Sequence, residues 1–160
     1  MRRPYDVASI DETVSLASKL MPDLGLGCDV ITGFPGETEL DFAATRGLLK
    51  RLPFSNAHVF PFSKRPDTLA AGFPFQLPKE IRSARARALA EEMRSKRRKF
   101  AKSFVGKTVS LVIEDEKKSR GWTGEYLPCE LNSGNHVRKS LVRAFVMKCK
   151  DDLLVARPLD

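Results

Sequence analysis

The apolar pattern of this chain changes period once, after Gly106, and that change limits the folds open to it. Upstream, apolar residues recur at helical spacing in long segments separated by two short strand-like runs. Downstream, they alternate two by two in several short runs parted by turn residues. One layer arrangement cannot serve both patterns. Two architectures in succession are expected, with a boundary near Phe104: residues 1–103 and residues 104–160.

The upstream part reads helix, strand, helix, strand. Ser9 and Glu12 have the spacing of a capping box, and Ile10, Val14, Ala17 and Met21 follow at helical spacing up to Pro22. Leu24 to Thr32 reads as a strand and ends on the turn Gly33-Phe34-Pro35-Gly36. Thr38 is placed to cap a second helix whose apolar face runs through Phe42, Thr45, Leu48, Leu49 and Leu52. Ala57 to Phe62 reads as the second strand. Short links in this order imply parallel strands with a helical crossover. Two such strands cannot close a barrel, so the part reads as the end of a larger α/β architecture. After a Pro- and Gly-bearing loop, a long helix is expected from about Lys79 to Phe104, with Ile81, Ala84, Ala88, Leu89, Met93, Phe100 and Phe104 on its apolar face.

Downstream, Val109, Leu111 and Ile113 alternate with Ser110, Val112 and Glu114. Tyr126 to Leu131, Leu141 to Met147 and Asp152 to Arg157 read as further strands. So many short strands in so short a stretch suggest a small all-β antiparallel barrel.

Charge is concentrated rather than spread. The net charge is +8, yet residues 79–102 alone carry ten basic and three acidic side chains. A basic stripe of that density attracts polyanions, although a solvated helix face is the plainer reading. No apolar run is long enough to span a bilayer and no signal peptide is evident, so no membrane partner is expected and the cytoplasm is the default location. The three cysteines, Cys28, Cys129 and Cys149, are scattered and odd in number, which fits a reducing compartment and core filling better than a disulfide framework. None has the close spacing of a metal or cluster site, so no metal ligand and no catalytic residue is assigned. His58 and His136 have no nucleophile or metal partner near them in sequence and read as structural or surface residues.

The segment Asp29-Val30-Ile31-Thr32-Gly33-Phe34-Pro35-Gly36-Glu37-Thr38 is the most specific one. In α/β barrels ligands bind where strands end, and glycines there let backbone approach a ligand. A turn of this kind is also common as plain structure. A second motif, Val59-Phe60-Pro61-Phe62-Ser63-Lys64-Arg65-Pro66-Asp67-Thr68-Leu69-Ala70-Ala71, follows the next strand at the same end. Together the two resemble the methylthiotransferases of the radical-SAM superfamily, which carry a strand followed by Gly-Phe-Pro-Gly-Glu-Thr. One strand later they carry an aromatic-rich stretch with Ser, Arg-Pro, usually Gly, then Thr and paired Ala. Asp67 stands where that Gly is usual. Met1 to Tyr5 is similar to the family's Met-x-Arg-x-Tyr segment, and Leu52-Pro53-Phe54-Ser55 is closest to the branch acting on threonylcarbamoyl-adenosine beside the tRNA anticodon. Phe104 to Thr108 and Gly121 to Tyr126 resemble the opening and second signature of a TRAM module, the small RNA-binding barrel that ends these enzymes.

The resemblance implies an incomplete radical-SAM TIM-like barrel followed by a TRAM-like barrel. It implies S-adenosylmethionine and 4Fe-4S clusters in the parent family, which cleaves S-adenosylmethionine reductively and adds sulfur and a methyl group to adenine. Gly33, Phe34, Pro35, Gly36 and Glu37 would line the S-adenosylmethionine pocket. Ser63 and Arg65 would sit at the barrel mouth, where a guanidinium suits carboxylate or phosphate. tRNA would meet Trp122 and Tyr126 by stacking, with Lys107, Lys117, Lys118 and Arg120 close by, and Arg94, Arg97 and Arg98 of the basic helix on phosphates. Core or edge packing is the plainer reading of Trp122, beside a turn, and of Tyr126, on a strand. The family's cluster cysteines precede the matched region, and no ligand set for them occurs in this sequence. The chain is therefore expected to be a carboxy-terminal fragment, inactive alone, that needs a missing amino-terminal half. A non-catalytic RNA-binding protein and a fragment of the sibling enzyme that methylthiolates a ribosomal protein are the alternatives.

Overall fold

A computed structural model of the chain describes residues 4–159. Met1, Arg2 and Arg3 of the Met-x-Arg-x-Tyr resemblance lie outside the described residues. Two compact units divide the chain, one up to Arg94 and one from Ser95 onward.

The first unit contains helix α1 (Val7–Leu20), strand β1 (Gly27–Thr32), helix α2 (Glu39–Arg51), strand β2 (Asn56–Pro61), a single 3-10 turn (Leu69–Gly72) and the first part of helix α3 (Lys79–Lys102). The cap of α1 lies three residues before the expected one. Asp6 is the N-cap, and its carboxylate accepts from the Ser9 amide at 2.8 Å and the Ser9 hydroxyl at 2.7 Å. Ser9 is thus the partner of a cap rather than the cap itself. These bonds hold the Asp6 carboxyl below its ordinary pKa. Thr38 caps α2 as expected and forms a reciprocal capping box with Asp41.

β1 and β2 pair in parallel, with Gly27 opposite Asn56 and Thr32 opposite Pro61. The pair makes a two-stranded sheet. One face, with Cys28, Val30, Ala57 and Val59, packs against a core of Val14, Leu49, Leu52, Phe54, Leu89 and Met93. Burying each large side chain of that core contributes roughly 1.5–3 kcal/mol. The opposite face bears Asp29, Ile31, His58 and Phe60, and Phe60 is 52% exposed.

The apolar face expected for α3 is displaced. Ile81, Ala84 and Ala88 are exposed, whereas Arg85, Ala86, Leu89 and Met93 are buried. Two inward positions carry arginine, Arg82 and Arg85, which a hydrophobic pattern cannot register. The helix ends at Lys102, two residues before the expected end, and Phe104 lies in the turn that follows.

The second unit is a closed barrel of β3 (Thr108–Asp115), β4 (Arg120–Thr123), β5 (Pro128–Leu131), β6 (Leu141–Lys150) and β7 (Leu153–Pro158), in the order β3-β4-β5-β7-β6. Its interior holds Phe104, Leu111, Ile113, Leu127, Cys129, Val146 and Leu154, each at most 2% exposed. The barrel is not wholly antiparallel as expected: β5 and β7 run parallel, with Cys129 opposite Leu154. The chain crosses from β5 to β6, which pairs with β3, so β7 closes the remaining gap beside β5. Alternation within a strand carries no record of its neighbour. β5 also starts two residues after Tyr126, which sits in the preceding turn at φ 60°. β6 runs three residues past Met147, with a bulge between Val146 and Lys148.

Candidate functional site

The Gly33–Glu37 turn leaves the carboxyl end of β1, and the Ser63 loop leaves the carboxyl end of β2. Parallel pairing puts both at the same end of the sheet, where the Phe62 amide donates to the Thr32 carbonyl at 2.8 Å. The Phe34 ring meets Phe62 edge-on at 5.3 Å and Phe73 at 6.1 Å. The Gly36 amide donates to the Phe75 carbonyl at 3.0 Å. The two motifs therefore form one structure.

The two glycines do different work. Gly33 has φ 70°, and a Cβ there would collide with the stem of Arg82. Gly36 has φ 84° and open space where a Cβ would stand. Both need the left-handed backbone that glycine adopts without penalty, but only Gly36 leaves a cradle that another molecule can approach. Asp67 has φ 62°. It occupies the position where the resemblance expects glycine, and aspartate is one of the few residues that tolerates that backbone.

Glu37 is an internal anchor. Its carboxylate accepts from the Gly33 amide and lies 2.7 Å from Arg85 Nη1. Arg85 also donates to the Glu37 carbonyl at 3.0 Å and pairs with Glu39. Its guanidinium lies 5.3 Å from the centre of the Phe42 ring. Burial works to lower the Arg85 pKa, but the hydrogen bonds and charges of Glu39 and Glu37 outweigh it, and the net direction is upward. Arg82 donates to the Phe62 carbonyl, and its own carbonyl accepts from Thr32, which is fully buried. Ser63 and Arg65 are exposed, and the Arg65 carbonyl accepts from Thr68 at 2.9 Å. Arg82 and Arg85 carry no site role in the sequence reading, and Glu39 reads there only as an acid at the start of α2; the three-residue spacing of the two arginines is the one available signal.

In the second unit Arg97, Trp122 and Tyr126 come together. Arg97 Nε lies 2.6 Å from Asp152, its Nη2 donates to the Tyr126 carbonyl at 3.0 Å, and its guanidinium lies 6.0 Å from the centre of the Trp122 ring. The Arg97 side chain is only 14% exposed. Arg98 faces Asp151 at 3.5 Å. Arg94, in the first unit, pairs with Glu91. Trp122 is on a strand, not beside a turn, and is 43% exposed; Tyr126 is 71% exposed. The Lys107 amine lies 5.1 Å from the Phe104 ring. Val112 and Leu141, which the sequence reading gives as strand residues without a site role, extend the exposed surface beside Trp122.

Known proteins now bear on these features. No family model matches the chain. It is 36% identical over 146 residues to the threonylcarbamoyladenosine tRNA methylthiotransferase of Treponema pallidum, covering 86% of this chain and 30% of that protein. The enzyme of the same name from Aquifex aeolicus is 37% identical, covering 91% of this chain and 35% of its own length. The tRNA-2-methylthio-N(6)-dimethylallyladenosine synthase of Anaplasma marginale is 35% identical, covering 78% and 28%. The chain is related to the tRNA methylthiotransferases and matches a carboxy-terminal part of them. It spans about a third of the length of these relatives.

Among the described residues, no group of three or more His, Cys, Asp or Glu side chains is arranged to hold a metal ion. Of the methylthiotransferase-like chain's three thiols, Cys28 is on β1, Cys149 on β6, and Cys129 is fully buried in the barrel core. Burial, assisted by Glu130, pushes the Cys129 thiol up to about 12. An iron–sulfur cluster needs thiolates converging on one point, so these residues do not fit one. Among the described residues, no helix is long and apolar enough to cross a membrane.

Proposed function

We propose that this chain serves as the carboxy-terminal part of a tRNA methylthiotransferase acting on a modified adenosine beside the anticodon. The observation carrying this reading is 36% identity over 86% of the chain to an enzyme of that name. In it, the first unit contributes the last strands of a radical-SAM barrel. The open side of Gly36, with Gly33, Phe34 and Pro35 shaping the turn, forms part of the S-adenosylmethionine pocket, and Glu37 holds that turn from behind. Ser63 and Arg65 lie at the barrel mouth. The second unit acts as a TRAM-like module that binds tRNA in the cytoplasm. An amino-terminal half bearing the 4Fe-4S clusters supplies the reductive cleavage of S-adenosylmethionine.

Relatives from both adenosine-modifying branches match with similar identity. The Leu52-Pro53-Phe54-Ser55 wording favours the threonylcarbamoyladenosine branch. Supplying the chain together with the amino-terminal two-thirds of the Treponema pallidum enzyme to cells lacking the modification tests the reading. Methylthiolated threonylcarbamoyladenosine in tRNA digests, seen by mass spectrometry, is expected. A digest without it, while the chain still binds tRNA, would favour the second reading: a non-catalytic RNA-binding protein, for which the ten basic against three acidic side chains of residues 79–102 speak.

A further inference from the structure

The outer face of the barrel carries an apolar row in strict register. Val112 on β3 stands opposite Trp122 on β4 and opposite Leu141 on β6. All three point outward, at 43%, 43% and 70% exposure. Directly opposed side chains lie about 5 Å apart, and three adjacent strands span about 10 Å, which accommodates a base. Gly121 makes this row possible, because any side chain there would strike the backbone of Val112.

Charge identifies the occupant. Residues 95–160 carry fifteen basic and eight acidic side chains, and exposed Arg143 lies two residues from Leu141 on the same face of β6, so the surroundings of the row attract a polyanion. An apolar ledge amid cations suits an unpaired RNA base attached to its phosphates. Arg97 does not belong to the phosphate-binding set. It is nearly buried, and Asp152 neutralises it. Its three contacts instead join the β6–β7 turn, the β4–β5 turn and the Trp122 ring.

We propose that the Trp122–Val112–Leu141 row is a stacking platform for an unpaired RNA base, and that Arg97, anchored by Asp152, is the positioning residue that holds Trp122 and the Tyr126 turn in place. The proposal rests on the RNA-binding reading above and goes beyond it by assigning the surface and removing Arg97 from the phosphate contacts.

Trp122 is the sole tryptophan, so its fluorescence reports on the platform directly. The full chain is titrated with a tRNA transcript and with decaadenylate, with affinity measured from about 50 to 300 mM salt. Saturation should quench Trp122 emission by about half. Arg97→Met should weaken binding about tenfold while the slope of log affinity against log salt stays the same. Arg97→Lys should recover part of the loss. Asp152→Asn, which keeps the cation but frees it, should weaken binding severalfold with the emission shifted. A phosphate contact would instead take about 0.7–0.9 from the slope, and that result for Arg97→Met overturns its positioning role. Tight RNA binding with unquenched Trp122 overturns the platform and leaves the RNA reading standing. No RNA binding by the parent chain at any salt, or binding of a ribosomal protein at this face instead, overturns both.

Discussion

Replacing Arg85 with methionine keeps the length of the side chain and removes its charge. In the parent, Arg85 and Glu37 are 7% and 11% exposed and 2.7 Å apart. Removing one partner of so enclosed a pair typically costs about 3–5 kcal/mol, because the other charge is stranded. Glu37 keeps its bond from the Gly33 amide, so the lower end of that range, a loss of about 3 kcal/mol, is expected. The lost stacking over Phe42 accounts for on the order of 1 kcal/mol of it. Native-state hydrogen exchange at α2 amides such as Phe42 and Leu49 reads the first unit separately from the barrel. A loss below about 1 kcal/mol would refute the anchoring role given to this pair.

The Arg94→Gln, Arg98→Gln double variant should lower the tRNA salt slope by about 1.5, since both side chains are about half exposed and their acidic partners are surface residues; filter binding at four salt concentrations decides it, and an unchanged slope makes the basic helix a solvated face. Residues 5–78 should exchange amide hydrogens faster than residues 105–159, because the two-stranded sheet has an unpaired edge on each strand and the barrel has none; stronger protection in β1 and β2 than in β3 would contradict this. Anaerobic iron and sulfide loading should leave no stoichiometric cluster on the chain, and iron analysis giving about one cluster per chain would refute the fit argument. The folded Cys129 thiol is raised to about 12 from 9.0, so its stability contribution is intact below pH 9 and is lost as pH rises toward 12. Urea melts of the barrel should therefore lose up to about 1.4 kcal/mol per pH unit above pH 9, and Cys129→Ala should flatten that decline.

Elements with a strong internal period were legible in the sequence, and partners across space were not. The α2 cap at Thr38 and the alternation of Val109, Leu111 and Ile113 follow from local chemistry alone. The inward face of α3 was misread because Arg82 and Arg85 occupy core positions whose carbonyl and carboxylate partners lie twenty to forty-eight residues away. Tyr126 was placed on a strand because nothing in its side chain discloses a φ of 60°. Arg94, Arg97 and Arg98 look alike in sequence. What separates Arg97 is its burial among the Trp122 ring, the Tyr126 carbonyl and Asp152, which lie twenty-five to fifty-five residues on. The two motifs of the first unit could be assigned to one end of a sheet because parallel pairing of strands joined by a helix leaves no other arrangement.

β7 lies between β5 and β6, although it follows both in the chain. During synthesis the other four strands leave the ribosome before the one that must be inserted between two of them. Until Leu153–Pro158 arrives, β5 and the far side of β6 each present an open row of amides and carbonyls, and Leu154 and Ala156 are missing from the interior. A reading frame interrupted between Lys150 and Leu153 yields a product that cannot hide those rows, and cellular proteases and chaperones recognise such surfaces. The strand order thus acts as a check on completeness: only a polypeptide translated through Pro158 acquires a sealed barrel.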